Sequence, residues 1–142
     1  MSTSKLSKVT VGGLDAPNHS KFIALNSSIA FSYGNVLDGI TIDGVHTGGQ
    51  GAKSASLTLK DGEYWKAFTA NSNPNYYGGV VTSIEFITNL GRSVAANVKG
   101  LPKAGDEPVA VVIDDCLIYG IELISGDFIN QMTIHYIEKP MA

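Results

Sequence analysis

Apolar residues recur at every second position in short runs along the chain. The pairs are Val9 and Val11, Ile29 and Phe31, Ile40 and Ile42, Leu57 and Leu59, Ile84 and Phe86, Ala110 and Val112, Ile121 and Leu123, and Met132 and Ile134. A period of two puts alternate side chains on one face of a strand, so each run predicts a strand with one buried face. Turn-forming groups separate the runs: Gly12-Gly13, Pro17-Asn18, Tyr33-Gly34-Asn35, Asp61-Gly62, Asn73-Pro74-Asn75, Gly78-Gly79, Gly105-Asp106 and Ser125-Gly126-Asp127. Helical spacing is nowhere sustained, and the pattern predicts an all-β chain.

Three segments share a further pattern. Gly34-Asn35-Val36-Leu37-Asp38-Gly39-Ile40-Thr41-Ile42 aligns with Gly126-Asp127-Phe128-Ile129-Asn130-Gln131-Met132-Thr133-Ile134, and Gly78-Gly79-Val80-Val81-Thr82-Ser83-Ile84-Glu85-Phe86 stands between them. Each is a glycine turn, one further residue, two apolar residues, a polar residue, a small or polar residue, and then alternation. The leading glycines are 44 and 48 residues apart. Units of roughly 45 residues predict a pseudo-threefold domain with about four short strands per unit. Gly62-Glu63-Tyr64-Trp65-Lys66 carries part of the pattern off the spacing and reads as an ordinary hairpin.

Composition narrows the function. The 142 residues are 44% hydrophobic and 16% charged, with a formal net charge of −3, which suits one domain, residues 1–142, with a real core. An acidic balance with scattered lysines and arginines argues against nucleic acid, which is held chiefly by basic side chains on phosphate. No apolar run approaches the roughly 20 residues of a spanning helix, so membrane insertion is not expected. The N-terminus shows no secretory signal; cytoplasmic residence is the default expectation, with unconventional secretion left open. The single cysteine, Cys116, reads as a small buried hydrophobe.

The most informative chemistry lies in Asp38 and the loop Gly48-Gly49-Gln50-Gly51-Ala52, expected to follow a strand covering Gly39 to His46. A phosphate cradle, a catalytic elbow and a sugar pocket are the three readings to separate. Glycine backbone lacks a Cβ and presents N–H groups directly to a ligand. A carboxylate accepting from hydroxyls opposite such amides suits a neutral polyol and would repel a phosphate. A P-loop needs glycine where this chain has Thr47 and a helix after Lys53-Ser54, whereas Ala55–Lys60 alternates like a strand. His46 reads as a packed or solvated imidazole, and His19 and His135 as isolated. No nucleophile–base pair, metal-ligand spacing or cofactor motif is present, so neither an enzyme nor a cofactor is expected. Tyr64 and Trp65, with Tyr76 and Tyr77, are candidates for an exposed aromatic platform or for core packing.

The segment Gly34–Ala52, with Gly62-Glu63-Tyr64 and Phe86-Ile87-Thr88-Asn89-Leu90-Gly91-Arg92, resembles the mannose-binding type of the jacalin-related lectins, as does the Gly126–Asn130 turn with its terminal strand. The likeness covers roughly residues 25–92 and 117–138. It implies a β-prism I fold: three four-stranded Greek-key sheets forming a triangular prism, with sugar sites at one end. It further implies a mannose/glucose-type site in which Asp38 accepts from two hydroxyls. Asn35, Val36 and Leu37 then contribute turn amides, and the end of the glycine loop, Gly51 and Ala52, contributes a backbone donor. Val36 stands where the family commonly has an aromatic.

A weaker second site is expected from Gly13, Asp127, Phe128 and Asn130, because a neutral amide replaces the carboxylate. The third is expected to be lost, with Thr82 at the acid position and no glycine loop in 92–101. Since single shallow sites bind at about 1 mM, cell agglutination calls for a homodimer or larger assembly. The alternative reading is a jacalin-fold structural or protein-interaction module that has lost sugar binding.

Overall fold

A strand with one apolar face is stable only when that face is covered, and here the strands cover one another. The computed structural model describes residues 5–12, 21–25, 27–34, 36–73, 80–96, 109–125 and 128–138. Its elements are the strands β1 (Lys5–Gly12), β2 (Lys21–Ala24), β3 (Ser28–Tyr33), β4 (Leu37–Ile42), β5 (Val45–Gly48) and β6 (Lys53–Thr58), then β7 (Trp65–Asn73), β8 (Val80–Thr88), β9 (Ser93–Ala96), β10 (Val109–Ile113), β11 (Cys116–Ser125) and β12 (Ile129–Glu138). They form three four-stranded sheets, ordered β5-β4-β3-β6, β10-β7-β8-β9 and β1-β12-β11-β2.

Each sheet is built alike. Its centre is a hairpin of consecutive strands, and the two strands that follow in the chain flank it. In the third sheet the flanking pair is β1 and β2, supplied from the other end of the chain. This is the expected β-prism of three Greek-key faces.

The inner faces carry the predicted apolar pairs. Ile29, Phe31, Ile40 and Ile42 come from the first sheet, Ile84 and Phe86 from the second, and Ile121, Leu123, Met132 and Ile134 from the third; all are buried. The first and second sheets meet around Phe86, whose ring centroid lies 6.0 Å from Phe31, 6.0 Å from Phe68 and 5.7 Å from Trp65. Cys116 is buried as expected, its thiol directed at the Lys66 carbonyl.

Three local expectations need correction. Gly39 to His46 is not one strand: β4 and β5 are joined by a tight turn at Asp43-Gly44, with φ of 48° and 87°. Both residues sit in the left-handed region that a two-residue hairpin requires. The Asp43 carboxylate ties this turn to the start of β3 by accepting from the Ser28 and Ser27 amides at 2.9 and 3.2 Å. Gly62–Lys66 is not a hairpin, since it carries the chain from β6 in the first sheet to β7 in the second. In β10 the buried face is the other one. Val112 is 68% exposed while Ile113 packs on the core, because a shift of one residue exchanges the faces of a strand.

The repeat has a structural meaning. In the first central hairpin, Ser32 pairs with Gly39 and Tyr33 with Leu37, so Asp38 is the extra residue of a β-bulge. Thr82 is skipped in the same way between Val81 and Ser83, and Asn130 between Ile129 and Gln131. A bulge redirects one side chain and increases the local twist. The polar residue of each sequence repeat is the one so redirected.

A salt-bridged knot ties the first sheet to the second. Glu63 accepts from Arg92 Nη2 at 2.7 Å and Nε at 2.9 Å, from the Thr88 hydroxyl at 2.6 Å and from the Lys60 amide at 2.8 Å. Arg92 also donates to the Thr58 carbonyl at 2.7 Å, at the end of β6. Hydrogen bonding from Arg92 foremost, with that from Thr88 and Lys60, outweighs desolvation and holds the Glu63 carboxyl down at about 2.

Two outcomes follow for stability. Phe86→Ala empties the aromatic cluster between the first and second sheets and should cost about 3–5 kcal/mol in denaturant unfolding. Glu63 has a depressed folded pKa, so its contribution is fully present above 4.5 and lost as pH falls toward about 2. The thermal midpoint of wild type should therefore exceed that of Glu63→Gln at neutral pH, and the two should converge through that window.

Candidate functional site

The turn between β3 and β4 and the loop between β5 and β6 come together at one end of the first sheet, because β5 and β6 are its outer strands and their connection must cross the central hairpin. The loop is pinned at several points. The Gly49 amide donates to the Asp38 carbonyl at 2.8 Å and the Gly51 amide to the Ser32 hydroxyl at 2.6 Å. His46 holds its middle: Nε2 bonds the Gly49 carbonyl at 2.8 Å and Nδ1 meets the Thr41 hydroxyl at 2.8 Å. As Nε2 must donate to a carbonyl, Nδ1 of the neutral ring accepts from Thr41. Residue pattern alone assigns His46 no such role. Its spacing to Thr41 across the Asp43-Gly44 hairpin is the signal, visible only once that turn is recognised.

Two glycines make the close approach possible. A Cβ on Gly39 would strike the His46 ring and the Gly49 carbonyl, and one on Gly51 would strike the Asp38 carboxylate and the Tyr33 carbonyl. Asp38 itself is only 8% exposed. A methyl group placed on Gly34 would lie 3.6 Å from Asp38 Oδ2 and 3.9 Å from the Ala52 nitrogen. The carboxylate and the Ala52 amide thus flank the same small space over Gly34. Among the described residues the Ala52 amide makes no hydrogen bond. Desolvation raises the Asp38 carboxyl above its ordinary value, only partly opposed by a hydrogen bond from the Gly34 amide.

Of the expected site residues, Asp38, Gly51 and Ala52 are brought together. Val36 and Leu37 adjoin them, but their side chains are buried, leaving only their backbone to a ligand; the Val36 carbonyl accepts from Gly34 at 3.1 Å. Asn35 lies outside the described residues, as do Gly13 and Asp127 of the expected second site. There Asn130 is 7% exposed on its bulge and Phe128 is half-buried. Thr82, at the acid position of the second sheet, is also buried.

Other candidates have structural roles. Trp65 is buried against Phe86, so it belongs to the core. Tyr64 is half-buried, with its amide on Asn89 Oδ1 at 2.9 Å; Tyr76 and Tyr77 fall outside the described residues, as does His19. His135, which looked isolated, meets Glu122 at 2.9 Å. The Gly62-Glu63-Tyr64 and Thr88–Arg92 stretches form the inter-sheet knot and not a ligand surface.

The geometry carries a direct test. In Gly51→Ala the new methyl meets rigid backbone at Tyr33 as well as Asp38, so the loop must shift. A stability loss of about 1–3 kcal/mol is expected, together with displaced amide resonances at Gly34, Asp38 and Ala52 in a nitrogen–proton correlation spectrum.

Comparison with known proteins bears on what such an end site is for. The family model of the jacalin-like lectin domain matches residues 7–136, more of the chain than the quoted motifs span. Griffithsin from Griffithsia sp. is 34% identical over 111 residues, which is 78% of this chain and 83% of griffithsin. Among solved structures, wild-type Malaysian banana lectin superposes with a TM-score of 0.67 at 21% identity, covering 95% of this chain and 100% of that one. A mannose-binding jacalin-related lectin from Ananas comosus gives 0.65 at 21% identity, covering 94% and 99%. With a family match over nearly its whole length and a curated relative at this level of identity, the chain belongs to the jacalin-like lectin family.

Proposed function

We propose that the protein is a carbohydrate-binding lectin for mannose- or glucose-type sugars, and that its principal site is the space between Asp38 and the Ala52 amide. The supporting observation is the pairing of an acceptor-only carboxylate with an uncommitted backbone donor across a gap open at Gly34. Vicinal hydroxyls of a pyranose donate to Asp38, and a ring or hydroxyl oxygen accepts from Ala52. A relative that binds mannose on the same fold points the same way.

The raised pKa of Asp38 has a ligand-binding consequence. The fold favours the protonated acid, so the stability this group contributes is lost as pH rises through its raised value. A sugar prefers the ionised form, whose desolvated oxygens regain hydrogen bonds from its hydroxyls. Charge-assisted bonds of this kind contribute about 1.5–3 kcal/mol, a large part of the roughly −4 kcal/mol that a millimolar site needs. A single site of that strength gives avidity only through a homo-oligomer or through further sites on the chain. Asn130 on the third bulge supplies at best a neutral acceptor for a second site.

Titration calorimetry with methyl mannoside and methyl glucoside tests this reading. Wild type should bind at neutral pH and weaken as pH falls through the raised pKa of Asp38. Asp38→Ala should bind at least about tenfold more weakly, with wild-type far-ultraviolet circular dichroism. Binding that survives intact in the variant would place the site elsewhere.

A further inference from the structure

Behind the glycine loop, on the outer face of the first sheet, lies a cleft of about 280 Å³ lined by Ser32, Thr41, Gln50, Gly51, Ala52 and Ser54 among others. We infer that this cleft is a second subsite, which receives the next sugar unit of a glycan whose terminal unit occupies the space between Asp38 and Ala52. The inference rests on the reading of that space as a sugar site.

Three observations carry it. The first is adjacency. Gly51 borders both places: a Cβ on it would strike the Asp38 carboxylate, while its amide donates at 2.6 Å to the hydroxyl of Ser32, which lines the cleft. Gly51 and Ala52 therefore wall both.

The second is chemistry. Ser32 and Ser54 are register partners on β3 and β6, so two hydroxyls stand side by side. Ser32 Oγ accepts from Gly51, which leaves its O–H to donate. Ser54 and the Gln50 amide make no hydrogen bond among the described residues. These neutral groups both donate and accept, as the hydroxyls of a sugar do; Lys53 at the edge of the lining adds a charged donor that a hydroxyl oxygen can also meet, and no carboxylate is present among the described lining residues.

The third is size and rigidity. Binding pockets for drug-sized ligands run from roughly 300 to 1,000 Å³, so this cleft suits a single ring. Its floor is regular sheet, with Ala30 paired to Thr41 and Ser32 to Gly39. Its roof is the loop fixed by His46 and Thr41. A preformed cleft takes a ligand without the ordering penalty of a mobile one.

The cleft predicts that the chain distinguishes a disaccharide from a monosaccharide by what lies beyond the first ring. Calorimetry on the full chain with methyl mannoside and with a panel of mannobioses of differing linkage tests this, in wild type, Ser54→Phe, Gln50→Ala and Asp38→Ala. At least one mannobiose is expected to bind wild type about five- to tenfold more tightly than methyl mannoside. Ser54→Phe fills an exposed sheet position and should remove that gain while methyl mannoside affinity stays unchanged. Gln50→Ala should reduce the gain with a smaller change of shape, which keeps the test available should the phenylalanine disturb folding. Asp38→Ala should lose both ligands.

Methyl mannoside binding with no gain from any mannobiose, or a gain that persists in both cleft variants, overturns the subsite and leaves the Asp38 site standing. Absence of methyl mannoside binding to wild type overturns the first site and the subsite together.

Discussion

Three sheets with one apolar face each can satisfy those faces only against one another, and this mutual burial governs everything else in the molecule. The first two sheets lock together where Phe86 of the second meets Phe31 of the first and Phe68 and Trp65 of its own. Burial of apolar surface contributes roughly 25 cal/mol per Å², and whole aromatic rings are buried here with almost no exposure. Once the faces are committed to the core, their long edges and outer surfaces go to solvent. The ends of the prism, where hairpins reverse, are the places where loop backbone and a redirected polar side chain can meet. The β-bulge is the device that produces the second of these. It adds a residue to one strand of each central hairpin and turns Asp38, Thr82 or Asn130 out of the apolar alternation.

Much of this was legible in the residues. Period-two alternation identified the strands that line the core, because burial on one face imposes that period directly. The three aligned segments marked the central hairpins, since the same bulge demands the same order of apolar, polar and small residues. What alternation did not resolve was phase and connection. In β10 the run Val109-Ala110-Val111-Val112-Ile113 is apolar at every position, so nothing local decides which face is buried. The Asp43-Gly44 turn was hidden inside an apparently continuous strand because its flanking residues alternate on both sides. Gly62–Lys66 looks like a hairpin locally, and only the Glu63–Arg92 pairing, which spans 29 residues, shows that it bridges two sheets.

The candidate site was legible for a different reason. Asp38 and the glycine loop draw attention because each is expensive in isolation: a carboxylate in an apolar run, and a stretch of backbone without side chains to pack. Their positions in space explain both. Gly51 and Gly39 lack side chains because the loop and the turn approach within contact distance, and the burial of Asp38 is partly offset by a hydrogen bond from the Gly34 amide. The brace through His46 escaped the residues alone. A lone histidine says nothing until the strand pairing of Thr41 with His46 sets its ring over Gly39 and aims it at a carbonyl.

The third sheet joins the two ends of the described chain, with β1 running beside β12 from Lys5 opposite Glu138 to Gly12 opposite Gln131. The other two sheets are each assembled from a contiguous stretch of sequence. During synthesis the first and second sheets have all their strands early, whereas β1 and β2 must wait for β11 and β12 before their edges are paired. Pairings of such long sequence separation are slow to form, and unpaired edges invite association with other chains. The interval before the last strand emerges is when a nascent chain of this design is most exposed to aggregation.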